Sequence, residues 1–509
     1  MPSYKKSTVF NVIFGLLYQL IMIPTQFLLR YILLKFIGVE FIGISCIVVS
    51  LVGVLCLAES GFSTAILYCL YKPIVEKNYA RINQILSAYK KLYSYIGIFI
   101  LFGGGILSSF IDLFFTGIEI TSLIYAIFYL ETFNAAISYF LCYRRTLLQA
   151  YTYTYVCNIV DIACNTIFTI FGIVIVYLTH DYILYLLVII AKTMISNLVI
   201  HVWCGFHFEF LANVKTDKNI FREILGYSKN LIFGNIAGYV YNSTDNLVIS
   251  TFSSSVSVGY LSNYTMITNY LKNMVGVILL APNAAFGQKF SKADICTKIN
   301  LYEKYNQLCC LFAVLLSVPT FSLFDYFIGN VYGKQFVMEI PISILLTIIV
   351  YLYVFPFAYG IFINISGSFV LLKRVEIIGA IINLVSSLIF VQFYGVYGVL
   401  LGTVFSVIVQ WGIRQHFVLK TLLKMEYKDF LVRWIKDLVF ILITLLSIVT
   451  VNQISKFLSQ ENFILTFIEI CIISFVIPSF FYYVLYQFRD KILFLKMSSS
   501  LFNKILHKT

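Results

Sequence analysis

Long uninterrupted apolar runs separated by short polar connections dominate this chain. About fourteen such segments fall at 9–34, 41–70, 92–115, 118–142, 151–178, 182–205, 230–252, 256–282, 305–329, 339–366, 375–393, 394–418, 435–455 and 462–487. Most exceed the roughly 20 apolar residues that cross a bilayer's hydrocarbon core as a helix. Strands of a membrane barrel would alternate apolar and polar positions. These segments are continuously apolar, so helices are predicted. The pattern reads as an all-α polytopic membrane protein.

The polar residues inside the segments carry a second pattern. In the first segment Gln19, Gln26 and Arg30 fall at i, i+7 and i+11, which places them on one helical stripe. In the seventh, Asn235, Asn242 and Asn246 repeat that spacing, displaced by 216 positions, and the same displacement carries Gly43 onto Gly259. The repeat predicts an N-lobe of six helices at 1–205, a cytoplasmic linker at 206–229 and a C-lobe of six helices at 230–418. Two extra helices and a tail then occupy 419–509. Two equivalent lobes suit transport, because one can rock against the other around a midplane site. Further stripes are Ser262, Thr265, Asn269 and Lys272 in the eighth segment, Glu131, Asn134 and Ser138 in the fourth, and Asn158, Asp161 and Asn165 in the fifth. A charge at mid-bilayer costs at least roughly 2.5–3.5 kcal/mol on insertion scales, so such groups face a cavity or one another. Asp161 and Lys192, on consecutive segments, have an ion pair open to them. Arg30 and Lys272 have no acidic residue on the adjacent turn and are candidates for lining a pathway. Pro24, one turn before Arg30, is placed to loosen the first helix.

Charge changes the picture by giving the segments a direction. Of 36 basic residues, three (Lys35, Lys334, Lys456) lie in one set of connections and three (Arg30, Lys192, Lys272) inside segments. The other 30 lie at the termini or in every second connection. This asymmetry predicts that both termini are cytoplasmic. It also accounts for the net charge of +13 as topology and attraction to anionic headgroups, with no nucleic acid implied. With 60% hydrophobic residues and a mean hydropathy of +0.91, no room remains for a sizeable soluble domain. The first segment is too long for a cleavable signal and reads as a retained helix.

Candidate chemistry is sparse. Ten of the eleven cysteines fall within segments without metal-ligand spacing, and the five histidines (180, 201, 207, 416, 507) are scattered. No metal or other cofactor is expected. Gly329-Asn-Val-Tyr-Gly333-Lys334 is one residue short of a phosphate-binding loop and lies on the side away from the basic connections. No outward connection exceeds about ten residues, which disfavours an external catalytic domain.

Several stretches have a familiar form. Leu57-Ala-Glu-Ser-Gly-Phe-Ser-Thr-Ala65 followed by Leu70-Tyr-Lys-Pro-Ile74 resembles the second-helix signature of bacterial polysaccharide flippases, and Ile37-Gly-Val-Glu-Phe-Ile-Gly43 their first external turn. Ser243-Thr-Asp-Asn-Leu-Val-Ile249 with Val258-Gly-Tyr260 is similar to their passage from helix 7 to helix 8. Ile382-Asn-Leu384 with Tyr394-Gly-Val-Tyr-Gly-Val399 and Leu401-Gly-Thr403 is similar to their eleventh and twelfth helices. The resemblance spans essentially the whole chain. It implies the multidrug/oligosaccharidyl-lipid/polysaccharide exporter superfamily, and within it the O-antigen or capsule repeat-unit (Wzx-type) flippases of the bacterial cytoplasmic membrane. Such proteins move an undecaprenyl-diphosphate-linked oligosaccharide between leaflets. A polysaccharide polymerase and chain-length machinery are the implied protein partners.

That cargo needs cations for its diphosphate and neutral hydrogen-bonding groups for its sugars. The expected substrate-binding residues are Arg30, Lys272, Gln26, Asn242, Asn246 and Asn269, with Arg30 and Lys272 facing one another across a cavity. The candidate ion-coupling residues are Asp245, Glu59 and Asp161. Their presence departs from a purely cationic cavity and leaves a proton or sodium gradient open. The competing readings are a cation-coupled multidrug transporter or lipid II flippase of the same superfamily, and an integral-membrane polymerase.

Overall fold

The computed structural model describes residues 4–59, 61–115, 121–212, 214, 218–280, 286, 290, 294–458 and 462–506. The described residues are almost wholly helical. Twelve stretches of helix are long and apolar enough to cross a membrane. The seventh and eighth predicted segments correspond to helices of 35 and 26 residues, Lys218–Phe252 and Ser255–Leu280. Frequent Asn, Ser and Thr make these two more polar than the rest, and they are not among the twelve.

The chain forms two compact units, one of residues 1–263 with 373–406, the other of 264–372 with 407–509. The first contains α1 (Tyr4–Phe36), α2 (Val39–Cys56), α3 (Phe62–Val75), α4 (Tyr79–Leu107), α5 (Ser122–Leu141), α6 (Tyr143–Ala150), α7 (Thr154–Thr179), α8 (Tyr182–His207) and α9 (Lys218–Phe252). The start of α10 (Ser255–Leu280) and most of α14 (Phe369–Tyr394) and α15 (Val396–His416) also belong to it. Packing is densest between α1 and α7, α4 and α5, and α7 and α8. Buried Tyr89 and Tyr93 of α4 anchor the core, the Tyr89 hydroxyl lying 2.9 Å from Thr146 Oγ1.

The predicted segment 41–70 is two helices rather than one. α2 tightens into a 3₁₀ turn at Leu57–Glu59, and Gly61 takes a left-handed φ of 90° before α3 begins. A side chain would be strained at that φ, and glycine lets the chain break and restart inside the membrane. The break places Glu59 where its carboxylate accepts a hydrogen bond from the Tyr93 hydroxyl.

The second unit is built on α11 (Ile295–Val331), with α12 (Ile340–Val354), α13 (Phe357–Ile365), α16 (Tyr427–Ser455) and α17 (Phe463–Leu506) around it. Pro356 caps α13 and divides the predicted segment 339–366. Within this unit the Asp325 carboxylate accepts from the Tyr264 hydroxyl at 2.9 Å and from Ser343 at 2.8 Å, tying α10 and α12 to α11.

Candidate functional site

The most developed polar site of the first unit starts from α6, a short helix whose two arginines follow directly on the connection after α5. Arg144 caps the His201 carbonyl of α8. Arg145 points at α7, where Nη1 and Nη2 donate to the two Asp161 oxygens at 2.8 Å each. The rest of the guanidinium is also used. Nε donates to Asn197 Oδ1 at 2.7 Å, and Nη2 lies 2.6 Å from Ser196 Oγ, whose own proton goes to Asp161 at 2.8 Å. A planar fork on a carboxylate is the strongest arrangement these groups have.

Beside this network is a cavity of about 250 Å³, lined by Ser138, Asn165, Lys192 and Thr193 as well as the network itself. The expected Asp161–Lys192 pair is therefore not the one that forms. Arg145, counted with a connection by sequence, turns inward and takes both oxygens. Among the described residues Lys192 has no ion pair or hydrogen bond. The cavity thus presents one ammonium group, attracted by Asp161 and Glu131 but in direct contact with neither, and several neutral donors and acceptors, a surface suited to a polar, oxygen-rich group.

A second cluster joins α9, α14 and α15. The Thr403 hydroxyl lies 3.0 Å from Asp245 Oδ2 and 3.2 Å from the Val399 carbonyl, and it accepts from Asn383 Nδ2 at 2.9 Å. Asn383 is fully buried, and its Oδ1 has no hydrogen-bond partner among the described residues. Close packing brings these oxygens together. A Cβ on Gly402 would lie 2.5 Å from Ser387 Oγ, so only a glycine permits this approach of α15 to α14. The Asp245 carboxylate and the Thr403 hydroxyl are hard oxygen donors carrying a single negative charge, with the Asn383 amide nitrogen turned to the hydroxyl.

The other expected residues are distributed as follows. Arg30 is half-buried and its guanidinium is 3.4 Å from the Ser262 carbonyl. Asn246 donates to Ser50 Oγ at 3.2 Å. Gln26 is half-buried, Asn269 is exposed, and the side chains of Asn235 and Asn242 lie outside the described residues. Lys272, in the second unit, holds its ammonium 5.7 Å above the Tyr353 ring. Of the three candidate ion-coupling carboxylates, Asp161 is neutralised by an arginine and Glu59 is bound by a tyrosine. Asp245 is the one set among oxygens. Sequence reasoning missed Arg145, Asn383, Thr403 and Asp325 as site residues. Asn383 and Thr403 sat in plain view inside the Ile-Asn-Leu and Leu-Gly-Thr motifs, but nothing in the sequence paired them with Asp245.

A charged cluster is also buried in the second unit. Arg433, 3% exposed, pairs with Glu303 at 2.8 Å and Asp437 at 3.2 Å, and Gln415 donates to Asp437 at 3.0 Å. It ties α16 to α11 and α15. Lys436, 4.0 Å from Glu303, supplies the second cation that balances the two carboxylates, which marks the cluster as structural.

The polysaccharide biosynthesis protein family matches residues 9–282, more than half of the chain. No curated protein sequence matches it. Among solved structures, the lipid II flippase MurJ in an inward closed conformation aligns with a TM-score of 0.70 at 15% identity, covering 95% of this chain and 100% of that one. An inward-facing multidrug resistance MATE family transporter of the MOP superfamily gives 0.64 at 13% identity, covering 78% and 94%. The MATE transporter VcmN of Vibrio cholerae gives 0.52 at 10% identity, covering 82% and 99%. At these identities the likeness is one of fold.

Proposed function

The chain belongs to the polysaccharide biosynthesis protein family, and from that membership we propose that it is a flippase for undecaprenyl-diphosphate-linked oligosaccharide repeat units, working by alternating access. The observation that carries this reading is the set of polar side chains held inside the helices of such a chain, Gln26, Arg30 and Asn246 on α1 and α9 and, apart from these, Lys192 in its cavity. A lipid cargo with a bulky polar head needs a path of that kind, since a bare bilayer makes sugars and phosphates costly to cross. The fold is shared with a solved flippase, which agrees with transport rather than catalysis.

In this reading Arg30 and Lys272 each supply a cation for the diphosphate, and Gln26, Asn242, Asn246 and Asn269 bind sugar hydroxyls. Asp245, with Thr403 and Asn383, is the coupling-ion site. A cation taken from outside and released inside at Asp245 would give the cycle a direction. The protein sits in the bacterial cytoplasmic membrane with both termini cytoplasmic, and it hands its cargo to a polymerase and chain-length machinery. The two-lobe division at 206–229 belongs to the same proposal.

The test is reconstitution of the purified protein in liposomes with a lipid-linked oligosaccharide on both leaflets. The expected result is protein-dependent exchange of the sugar head to the outside, scored by an impermeant lectin. Export of a cationic drug, or flipping of lipid II with no movement of the oligosaccharide lipid, would replace this reading with the alternative transporter of the same fold.

A further inference from the structure

Three basic side chains of the first unit meet around one ring, and no carboxylate comes with them. Tyr143, buried at the start of α6, has the Lys90 ammonium of α4 5.9 Å from its ring centre and the Arg144 guanidinium 5.8 Å from it. Its hydroxyl lies 3.5 Å from Nδ1 of His201 on α8. Arg144 commits one nitrogen to the His201 carbonyl, and that nitrogen rests against Gly205, where a Cβ would stand 3.4 Å from it. Among the described residues neither Lys90 nor Arg144 has a carboxylate within ion-pair distance, and the charges acting on the His201 ring are those two cations. Like charges gathered in one place repel. The negative face of the Tyr143 ring offsets part of this, and an anion would offset the rest.

The charge pattern sets the depth of the cluster. From Leu92 to Ile111 the chain carries no charged residue, a run of 20 that matches the hydrocarbon core. Lys90 and Lys91 therefore stand at the edge of that core, on the side of the basic connections. Arg144 ends a similar run through α5 that only Glu131 interrupts. Inward from the cations, α4 and α8 present apolar stripes of the same spacing. Tyr95, Ile98 and Phe102 lie on one, Ile195, Leu198 and Val202 on the other, and all six are exposed. Both helices pack on α5 and on α6. Phosphate-binding groups at the edge of the core, with apolar faces running inward from them, fit a phospholipid better than a soluble anion.

We propose that Lys90, Arg144 and His201 form a binding site for one anionic glycerophospholipid of the cytoplasmic leaflet. Its headgroup phosphate lies between the cations and its acyl chains lie along α4 and α8. The two guanidinium nitrogens of Arg144 not used on His201 can take two phosphate oxygens, and Lys90 adds a point charge beside them. The effect reaches the cavity, because Arg144 precedes Arg145 on α6. A lipid seated on Arg144 holds α6 in the place that turns Arg145 onto Asp161. None of these residues is among those proposed for the cargo, so occupancy of the site does not depend on what the protein carries.

The test is native mass spectrometry of the purified full chain with phosphatidylglycerol or phosphatidylcholine added. Phosphatidylglycerol should bind in preference, and Lys90→Gln with Arg144→Gln should weaken its first binding step by about tenfold or more. Lys72→Gln with Lys420→Gln removes the same charge from exposed positions elsewhere and should change nothing. Lys90→Arg keeps the charge and should keep the affinity, which separates loss of the site from loss of the fold. In nanodiscs at a fixed elevated temperature, a higher fraction of phosphatidylglycerol should lengthen the half-life of the parent chain and not of the Lys90→Gln/Arg144→Gln variant. Equal binding by the two double variants, no preference over phosphatidylcholine, or equal lengthening in parent and variant would each overturn the proposal. Displacement of phosphatidylglycerol by equimolar inorganic phosphate or undecaprenyl diphosphate would also overturn it, by giving the site to a free anion or to the cargo. A chain that binds the lipid here and flips nothing would refute only the function proposed above.

Discussion

Replacing Asp161 by Asn tests whether the strongest polar contact of the first unit serves the fold or the transport cycle. The substitution keeps shape and removes charge. It leaves the Arg145 guanidinium among Ser196 and Asn197, with no anion within ion-pair distance in its network. Breaking a buried ion pair from one side costs about 3–5 kcal/mol. The side chains here are 27% and 26% exposed, so water recovers part of that, and about 2–3 kcal/mol is the working figure. Membrane proteins commonly unfold irreversibly, so the assay is a half-life: the fraction staying monodisperse in detergent at a fixed elevated temperature. Asp161→Asn should shorten it by roughly tenfold or more if the pair is already broken at the unfolding barrier. Arg145→Gln should do the same, and the double variant should regain most of the loss, giving a coupling energy of about 1–3 kcal/mol. A single Asp161→Asn chain with parental half-life and no export would refute the structural assignment and return Asp161 to the transport cycle.

Asp245→Asn and Thr403→Val should leave abundance unchanged and remove the dependence of flipping on an imposed sodium or proton gradient, measured in liposomes. A variant still driven by the gradient excludes this cluster as the coupling site. Arg30→Gln or Lys272→Gln should lose a charge-assisted contact of roughly 1.5–3 kcal/mol and slow polysaccharide display about tenfold or more. Lys and Arg should partly substitute for one another there. Normal display by both neutral variants would remove the diphosphate role. Cysteines placed near Lys334 and Lys456 should react with an impermeant thiol reagent in intact cells, while those near Lys77 and Lys424 should not. The reverse outcome would invert the topology.

Most helices were legible because a span's requirement is one-dimensional: enough consecutive apolar residues for the bilayer's thickness. The breaks were less so. Gly61 and Pro356 interrupt runs that read as continuous, since hydropathy is blind to a positive φ or a missing N–H. Of the site, the stripes holding Arg30 and Asn246 were readable from helical period, whereas Asp245 was visible only as an acidic residue within a segment. Arg145 was misassigned because it lies beside a polar connection, and its inward turn depends on how α6 packs. The Asp245–Asn383–Thr403 cluster joins positions up to 158 residues apart, a distance that periodicity cannot bridge.

The buried arginine of the second unit bears on how the molecule is made. Arg433 follows its partner Glu303 by 130 residues. At ~5–20 residues per second, roughly 7–26 seconds of synthesis separate the two. For that interval Glu303 waits at the start of α11 without its guanidinium, and Trp411, made near its end, still lacks the Trp434 ring that later lies 5.3 Å away. The last two membrane helices therefore act as a keystone set after the arch. A ribosome that stalls near residue 418 leaves a chain with nearly all its spans inserted and an open carboxylate in its core, a form that quality-control proteases can distinguish from the finished protein.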